Sequence, residues 1–244
     1  MIQLAYSSAS ELLPLASSVI LIELTENRVS NYLKTLAVQN FTATKLYNFF
    51  QLIPEFQQLS EHDRLILLKQ NLALLITVSN AIRFDQTREL IYIDGHPNRY
   101  NVLEEEAFAE SCKSLFILSY GYELNRAFMS VLHKISDVIE GNSVILQLII
   151  SMTIFLKGLS KHHEQESTLD DSRFIFYAQS KYTDLLFRYL IERYSLENTV
   201  KKFIRIIDVI HKMQDIIKDF QHQLKAKINR EHVNPLMKAV FNLD

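Results

Sequence analysis

Residues 65–82 read LILLKQNLALLITVSNAI, and no surface position suits them. On a helix their apolar side chains fall on nearly every side, so the helix must be enclosed by others. Ser60 stands just before it as an N-cap, and Glu61 and Asp63 complement the dipole of its first turn. The enclosing elements are also legible. Nearly every long segment repeats its apolar residues with helical period. With only four glycines and four prolines in 244 residues, few tight turns are available. The sequence therefore predicts an all-α fold.

The helical pattern runs from about Val29 to Ile53 and stops before Pro54, as the residue preceding proline disfavours helix. After residue 82 it breaks. RELIYIDGHPNRYNV holds a short β-type run, a loop with Asp94, Gly95, Pro97 and Asn98, and a second short run, which predicts a small hairpin. Leu90 and Tyr92 should face one side of it, Ile91 and Ile93 the other. Helices follow near 104–118, 122–140, 143–158, 172–194 and 197–228. The last exceeds 25 residues, which calls for a partner surface or a bend. ELLPLASSVILIELTEN, with Glu11, Glu23 and Glu26, reads as a first amphipathic helix rather than a signal peptide, and no segment reads as a membrane span. With no Pro/Gly/Ser-rich linker, residues 1–244 read as a single domain.

Catalytic patterns are missing. Four scattered glycines cannot cradle a phosphate or build a dinucleotide fingerprint, and there is no G-x-S-x-G elbow. No catalytic residue, metal ligand or cofactor is assigned. His162, His163, Glu164 and Glu166 crowd together without zinc spacing. Asp171 and Ser172 suit a helix start. Cys112 cannot form a disulfide within the chain and reads as a core thiol. A net charge of -2, with no basic aromatic stripe, predicts no direct nucleic-acid contact and no pull toward anionic membrane.

The strongest signal is a pattern. FFQLIPEFQQLSEHDRLILLKQNLALL resembles the signature of nuclear receptor ligand-binding domains, with matches at Phe49, Pro54, Phe56, Leu59, Asp63, Leu67, Leu68 and Lys69. Further segments are similar in order. VILIELTEN resembles the family's first helix, and YAQSKYTDLLFRYLIERY its ninth, with Gln179, Tyr182, Leu186 and Tyr189 in rhythm. The helix over 197–228 resembles the dimerisation helix, and PLMKAVF the terminal activation helix. The resemblance implies a three-layer antiparallel α-helical sandwich with one small β-hairpin. It implies a nuclear protein that binds a small lipophilic ligand, of sterol, fatty-acid or retinoid type, and docks a coactivator or corepressor helix. It also implies a homodimer, or a heterodimer with a retinoid X receptor-like partner. The family's DNA-binding domain is not expected in this chain, which would be either an excised domain or a protein without its own DNA reader.

The implied site residues transfer one by one. Ligand positions would be Thr35, Leu36, Val38, Gln39 and Thr42 on the helix before Pro54, Leu72, Ala73, Ile76, Thr77, Asn80 and Arg83 on the central helix, and Tyr92 on the hairpin. Arg83 either anchors a ligand acid or pairs with Asp85 or Glu89. The coregulator groove would comprise Tyr47, Gln51, Leu65, Leu68, Lys69, Leu236, Ala239 and Val240, and the dimer face Phe203, Ile207, Ile210 and Ile217. The sequence departs from the family at both ends of that groove. Gln51 stands where the family has a lysine, and Ala239 where it has a glutamate; Arg64 and Leu74 replace a glutamine and a glutamate. These departures imply weak or altered coregulator use. They leave open an orphan-type dimerisation or repressor module with a filled pocket, for which the fifteen phenylalanines offer bulk.

Overall fold

The computed structural model describes residues 28–92, 102–157, 168–241 and 243. Among them, nine α-helices run in this order: α1 Arg28–Phe50, α2 Pro54–Gln57, α3 Glu61–Ser79, α4 Val102–Tyr120, α5 Tyr122–Ile139, α6 Ser143–Ile154, α7 Ser172–Ile191, α8 Leu196–Lys227 and α9 Pro235–Val240. Between α3 and α4, the 3₁₀ turn Asn80–Arg83 leads into strands β1 Phe84–Asp85 and β2 Leu90–Ile91.

Helix starts follow local chemistry. The Oγ of Ser60 accepts the amide of Asp63 at 3.1 Å, and Asp171 Oδ1 accepts that of Phe174 at 2.9 Å. Asn142 caps α6, Ser195 caps α8 and Asn234 caps α9, where Pro235 gives up no needed N–H. Helix α5 ends differently. Glu140 closes it at φ 50°, and Tyr194 and Lys202 hold the Glu140 carboxylate at 2.7 and 2.6 Å, so this left-handed residue is fixed from outside.

The architecture is a three-layer antiparallel helical sandwich with α3 in the middle. It touches α1, α6, α8 and α9, and residues 71–79 are buried without interruption. Over Glu61–Arg83 the chain is long and apolar enough to cross a membrane, and most of that surface is turned against neighbouring helices. Helix α1 packs antiparallel on α4, so Tyr32 and Thr35 meet Tyr120 and Ser119. Helices α6 and α7 pair, as do α5 and α8. Buried side chains from Tyr32 to Leu243 form one continuous core, while Leu90, Tyr92 and Ala109 form a second, small one.

The hairpin differs from the expected one. Leu90–Ile91 pairs with the preceding strand, Phe84 opposite Ile91 and Asp85 opposite Leu90. Its turn uses no glycine. The Asp85 carboxylate accepts the amides of Thr87 and Arg88, and Glu89 takes φ 53°. The expected loop at Asp94, Gly95, Pro97 and Asn98, and the run after it, lie outside the described residues, as do Ile93, the N-terminal helix and His162 to Glu166. Leu90 and Tyr92 are both buried and Ile91 half-buried, in keeping with the alternation. Helix α6 stops at Ile154, short of the expected 158. Helix α8 is one helix of 32 residues.

Candidate functional site

The first candidate site is an apolar strip at the end of α1 and the start of α3. Tyr47 is 42% exposed, Leu52 48% and Leu65 51%, a concentration of large apolar side chains beside a well-buried helix. Short α2 brings these ends together. Phe50 and Phe56 pack with ring centroids 5.7 Å apart, and Gln57 donates to the Gln51 carbonyl. Leu68, one turn after Leu65, and Lys69 are half-buried. Helix α9 packs on both α1 and α3. Its Met237, Val240 and Phe241 are buried, whereas Leu236 and Ala239 stay half-exposed. The groove residues Tyr47, Gln51, Leu65, Leu68, Lys69, Leu236 and Ala239 lie on or just after α1, α3 and α9, three helices that touch one another, and retain accessible surface; Val240 is buried in the core.

Two buried acids fix this region. The Asp63 carboxylate accepts the backbone amides of Asp170 at 2.7 Å and Asp171 at 3.0 Å, and Ser60 donates to Asp170 Oδ2 at 2.7 Å. This knot ties the start of α3 to the start of α7. His62, Asp63 and Asp170 come close enough to hold a cation. Both Asp63 oxygens and one Asp170 oxygen already accept these N–H and O–H donors, and the His62 ring faces the Thr168 carbonyl, so the cluster reads as a splice between elements. Glu55 on α2 is the second acid. Tyr182 donates to it at 2.7 Å, and Lys181 pairs with its other oxygen. Burial pushes the Glu55 carboxyl up, and the bonds from Lys181 and Tyr182 outweigh that, leaving it below the usual carboxylate range. Burial and the Glu55 charge together raise the Tyr182 hydroxyl.

The second candidate site is the interior. Leu36, Leu72, Ala73 and Ile76 are buried in the main core. Thr35 bonds the Asn31 carbonyl and Ser119, and Thr77 bonds the Ala73 carbonyl. Val38, Gln39, Thr42, Asn80 and Arg83 are half-buried, and the Arg83 guanidinium donates to Asn80 Oδ1 at 2.7 Å. Of the acids considered for Arg83, Asp85 holds the hairpin turn and Glu89 lies by Lys113 and His133. Tyr92 belongs to the small second core, apart from these residues.

The structure adds a feature that periodicity alone did not mark. Tyr32, Phe116, Tyr120, Phe128 and Phe220, from α1, α4, α5 and α8, pack ring to ring with centroids 4.8–6.2 Å apart. Among the described residues the buried Tyr120 hydroxyl at its heart has no hydrogen-bond partner, and burial raises its pKa. Five aromatics at scattered spacings give no signal until the helices align them.

The third is an outward face of α7 and α8. A groove of about 500 Å³ runs between them, lined by Phe176, Ser180, Thr183, Asp184, Phe187 and Phe203. Phe187 and Phe203 meet edge to face at 5.7 Å. Phe203 and Ile207 lie on this face with Ile204, which is 62% exposed, and Val200. Ile210 and Ile217, assigned to the same face from sequence, are buried in the core instead. The periodicity of α8 places them on its inward stripe with Met213 and Phe220.

A scan against protein-family models and a search of curated proteins return no match to this chain.

Proposed function

We propose that this chain is the ligand-binding and dimerisation domain of a nuclear receptor transcription factor, acting in the nucleus by docking a coregulator helix. The observation that carries this reading is the exposed apolar surface of Tyr47, Leu52 and Leu65 at the end of α1 and the start of α3, the two helices on which α9 packs. An amphipathic helix would lay its apolar face there, in helix-in-groove fashion. The fold and the order of its helices agree with the resemblance in the sequence. The α7–α8 face would serve dimerisation.

Recognition should be weak for a standard LxxLL helix. Neither Gln51 nor Ala239 carries the charge that would cap such a helix. Each lost charge-assisted hydrogen bond is worth roughly 1.5–3 kcal/mol, so losing both weakens binding about a hundredfold or more.

The interior supports two versions of the function. In the first, a small lipophilic ligand (sterol, fatty acid or retinoid-like) enters among the apolar positions of α1 and α3. In the second, the pocket is filled by the protein itself, and the packed cluster of Tyr32, Phe116, Tyr120, Phe128 and Phe220 favours this version. Native mass spectrometry separates them: a co-purifying lipid mass supports the first, a bare protein mass the second. The docking claim is tested by titrating a fluorescent LxxLL peptide. Weak binding that Leu65→Glu abolishes is expected; no binding, or binding indifferent to that change, refutes docking at this strip.

A further inference from the structure

We infer that the groove between α7 and α8 docks an extended segment of a partner protein that presents an arginine, whose guanidinium lies on the phenyl rings of the groove and pairs with Asp184. The inference rests on the groove alone, not on coregulator docking or on what fills the interior, and it gives the α7–α8 face a partner chemistry.

One face of α7 supplies most of the lining. Phe176, Ser180, Thr183, Asp184 and Phe187 recur there at helical spacing, and Phe203 comes from α8. Phe187 and Phe203 meet with their planes at 88°, so the two rings form a corner. Asp184 stands one turn before Phe187 on the same face. Among the described residues it is the only charged side chain that lines the groove. Ring faces carry negative charge density, and the carboxylate adds a full negative charge. Phenyl rings and one carboxylate around one hollow suit an organic cation. Asp184 already shows that preference, since its Oδ2 accepts the Nε of Arg188, one turn on, at 2.9 Å. Both side chains of that pair are largely exposed, at 73% and 55%, and exposed pairs of this kind add little. Arg188 is therefore an occupant that an incoming guanidinium displaces readily.

The chemistry favours a guanidinium over an ammonium. A guanidinium is planar and weakly hydrated, so it can lie on a ring while its N–H edge meets a carboxylate. The groove is also longer than one side chain. Phe176 is 68% exposed and precedes Asp184 by just over two turns, which is about 12 Å along the helix. An extended chain covers that span in about four residues. An apolar side chain four positions from the arginine therefore reaches Phe176. Between these two anchors the lining is Ser180 and Thr183, and the volume of about 500 Å³ leaves room there for the segment's backbone. The Thr183 hydroxyl donates to the Gln179 carbonyl, and its oxygen can still accept an N–H from the segment.

A labelled, end-blocked peptide, Leu-Ser-Ser-Ser-Arg-Ser-Ser-Ser-Leu, tests this by fluorescence anisotropy on the whole chain; a leucine on each side of the arginine serves either chain direction. It should bind saturably. Lysine in place of its arginine should weaken binding several-fold, and norleucine at least tenfold. Asp184→Asn and Phe176→Ser, both at exposed positions, should each weaken it at least fivefold. Phe203→Leu, which keeps apolar bulk and removes the ring, should also weaken it. Arg188→Ala should tighten binding by freeing the carboxylate. Arg193→Ala removes the same charge from a side chain that lies over Tyr189, and should leave binding unchanged. Leu65→Glu should also leave it unchanged, which separates this site from coregulator docking. Circular dichroism and thermal melts establish that each variant is folded. Absence of saturable binding, equal binding of the arginine and norleucine peptides, or full binding by Asp184→Asn overturns the inference. If Asp184→Asn instead lowers self-association in sedimentation and leaves peptide binding unchanged, the occupant is a second copy of this chain and the inference falls.

Discussion

Replacing Asp63 by Asn asks how much one buried carboxylate holds together. The side chain of Asp63 is 1% exposed, and its two oxygens each accept a backbone N–H from the start of α7. Hydrogen bonds to a charged acceptor are worth roughly 1.5–3 kcal/mol apiece. Asn keeps one acceptor and sets an NH₂ against the second N–H, so one bond is lost and the other loses its charge. The cost should be about 2–4 kcal/mol, a large share of a total stability of roughly 5–15 kcal/mol. Urea unfolding followed by circular dichroism reads this as a lower midpoint with an unchanged slope. The same variant should also weaken peptide docking, because Arg64 and Leu65 sit on the turn that Asp63 anchors. A loss below about 1 kcal/mol would refute the reasoning, since it would mean that these amides are satisfied equally well by water.

The Glu55 cluster should show pH dependence. Its carboxyl lies below the ordinary range, so its stabilising share is present above that range and vanishes as pH falls through the lowered value. Tyr182→Phe should cost about 1.5–3 kcal/mol at pH 7; Lys181→Ala should cost only about 1 kcal/mol or less, because the lysine side chain is 41% exposed. Both penalties should shrink below about pH 4 in urea melts, and a penalty constant down to pH 3 contradicts the assignment. Packing around the half-buried Cys112 pushes its thiol up to about 12, so native alkylation at pH 8 should run roughly ten- to a hundredfold slower than that of a free thiol and recover in urea. Native alkylation at the free-thiol rate contradicts that burial. Ile204→Glu, on the outward face of α8, should abolish self-association, measured by sedimentation, without lowering the melting temperature. A wild-type chain that is already monomeric at about 100 μM argues against homodimerisation there.

The parts of this fold legible in the sequence are those fixed by neighbours along the chain. Ser60 and Asp171 cap the helices they were assigned to, because an N-cap needs only an amide three residues on. The burial of α3 followed from its lack of a polar face. The pairing of Leu90–Ile91 with Phe84–Asp85 was not anticipated, because its turn signal is a quiet one, the Asp85 side chain that bonds its own following amides; the expected loop at Asp94, Gly95, Pro97 and Asn98 lies outside the described residues. At the site, the apolar strip and its missing charges were visible as residue identities. The Glu55–Tyr182 bond joins residues 127 apart in sequence, and Asp63 reaches 107 residues forward to Asp170. No local pattern announces such partners. The same limit explains Ile210 and Ile217. A 32-residue helix with apolar residues on two stripes does not say which stripe meets the core until its neighbours are in place.

The central claim is that a partner helix docks at the joined ends of α1, α3 and α9. Hydrogen–deuterium exchange on the whole chain, with and without an LxxLL peptide, is the sharpest test of it. The account predicts added protection in residues 47–52, 64–69 and 236–241, absent in Leu65→Glu. Protection confined to the α7–α8 face, or no change anywhere at saturating peptide, would contradict it.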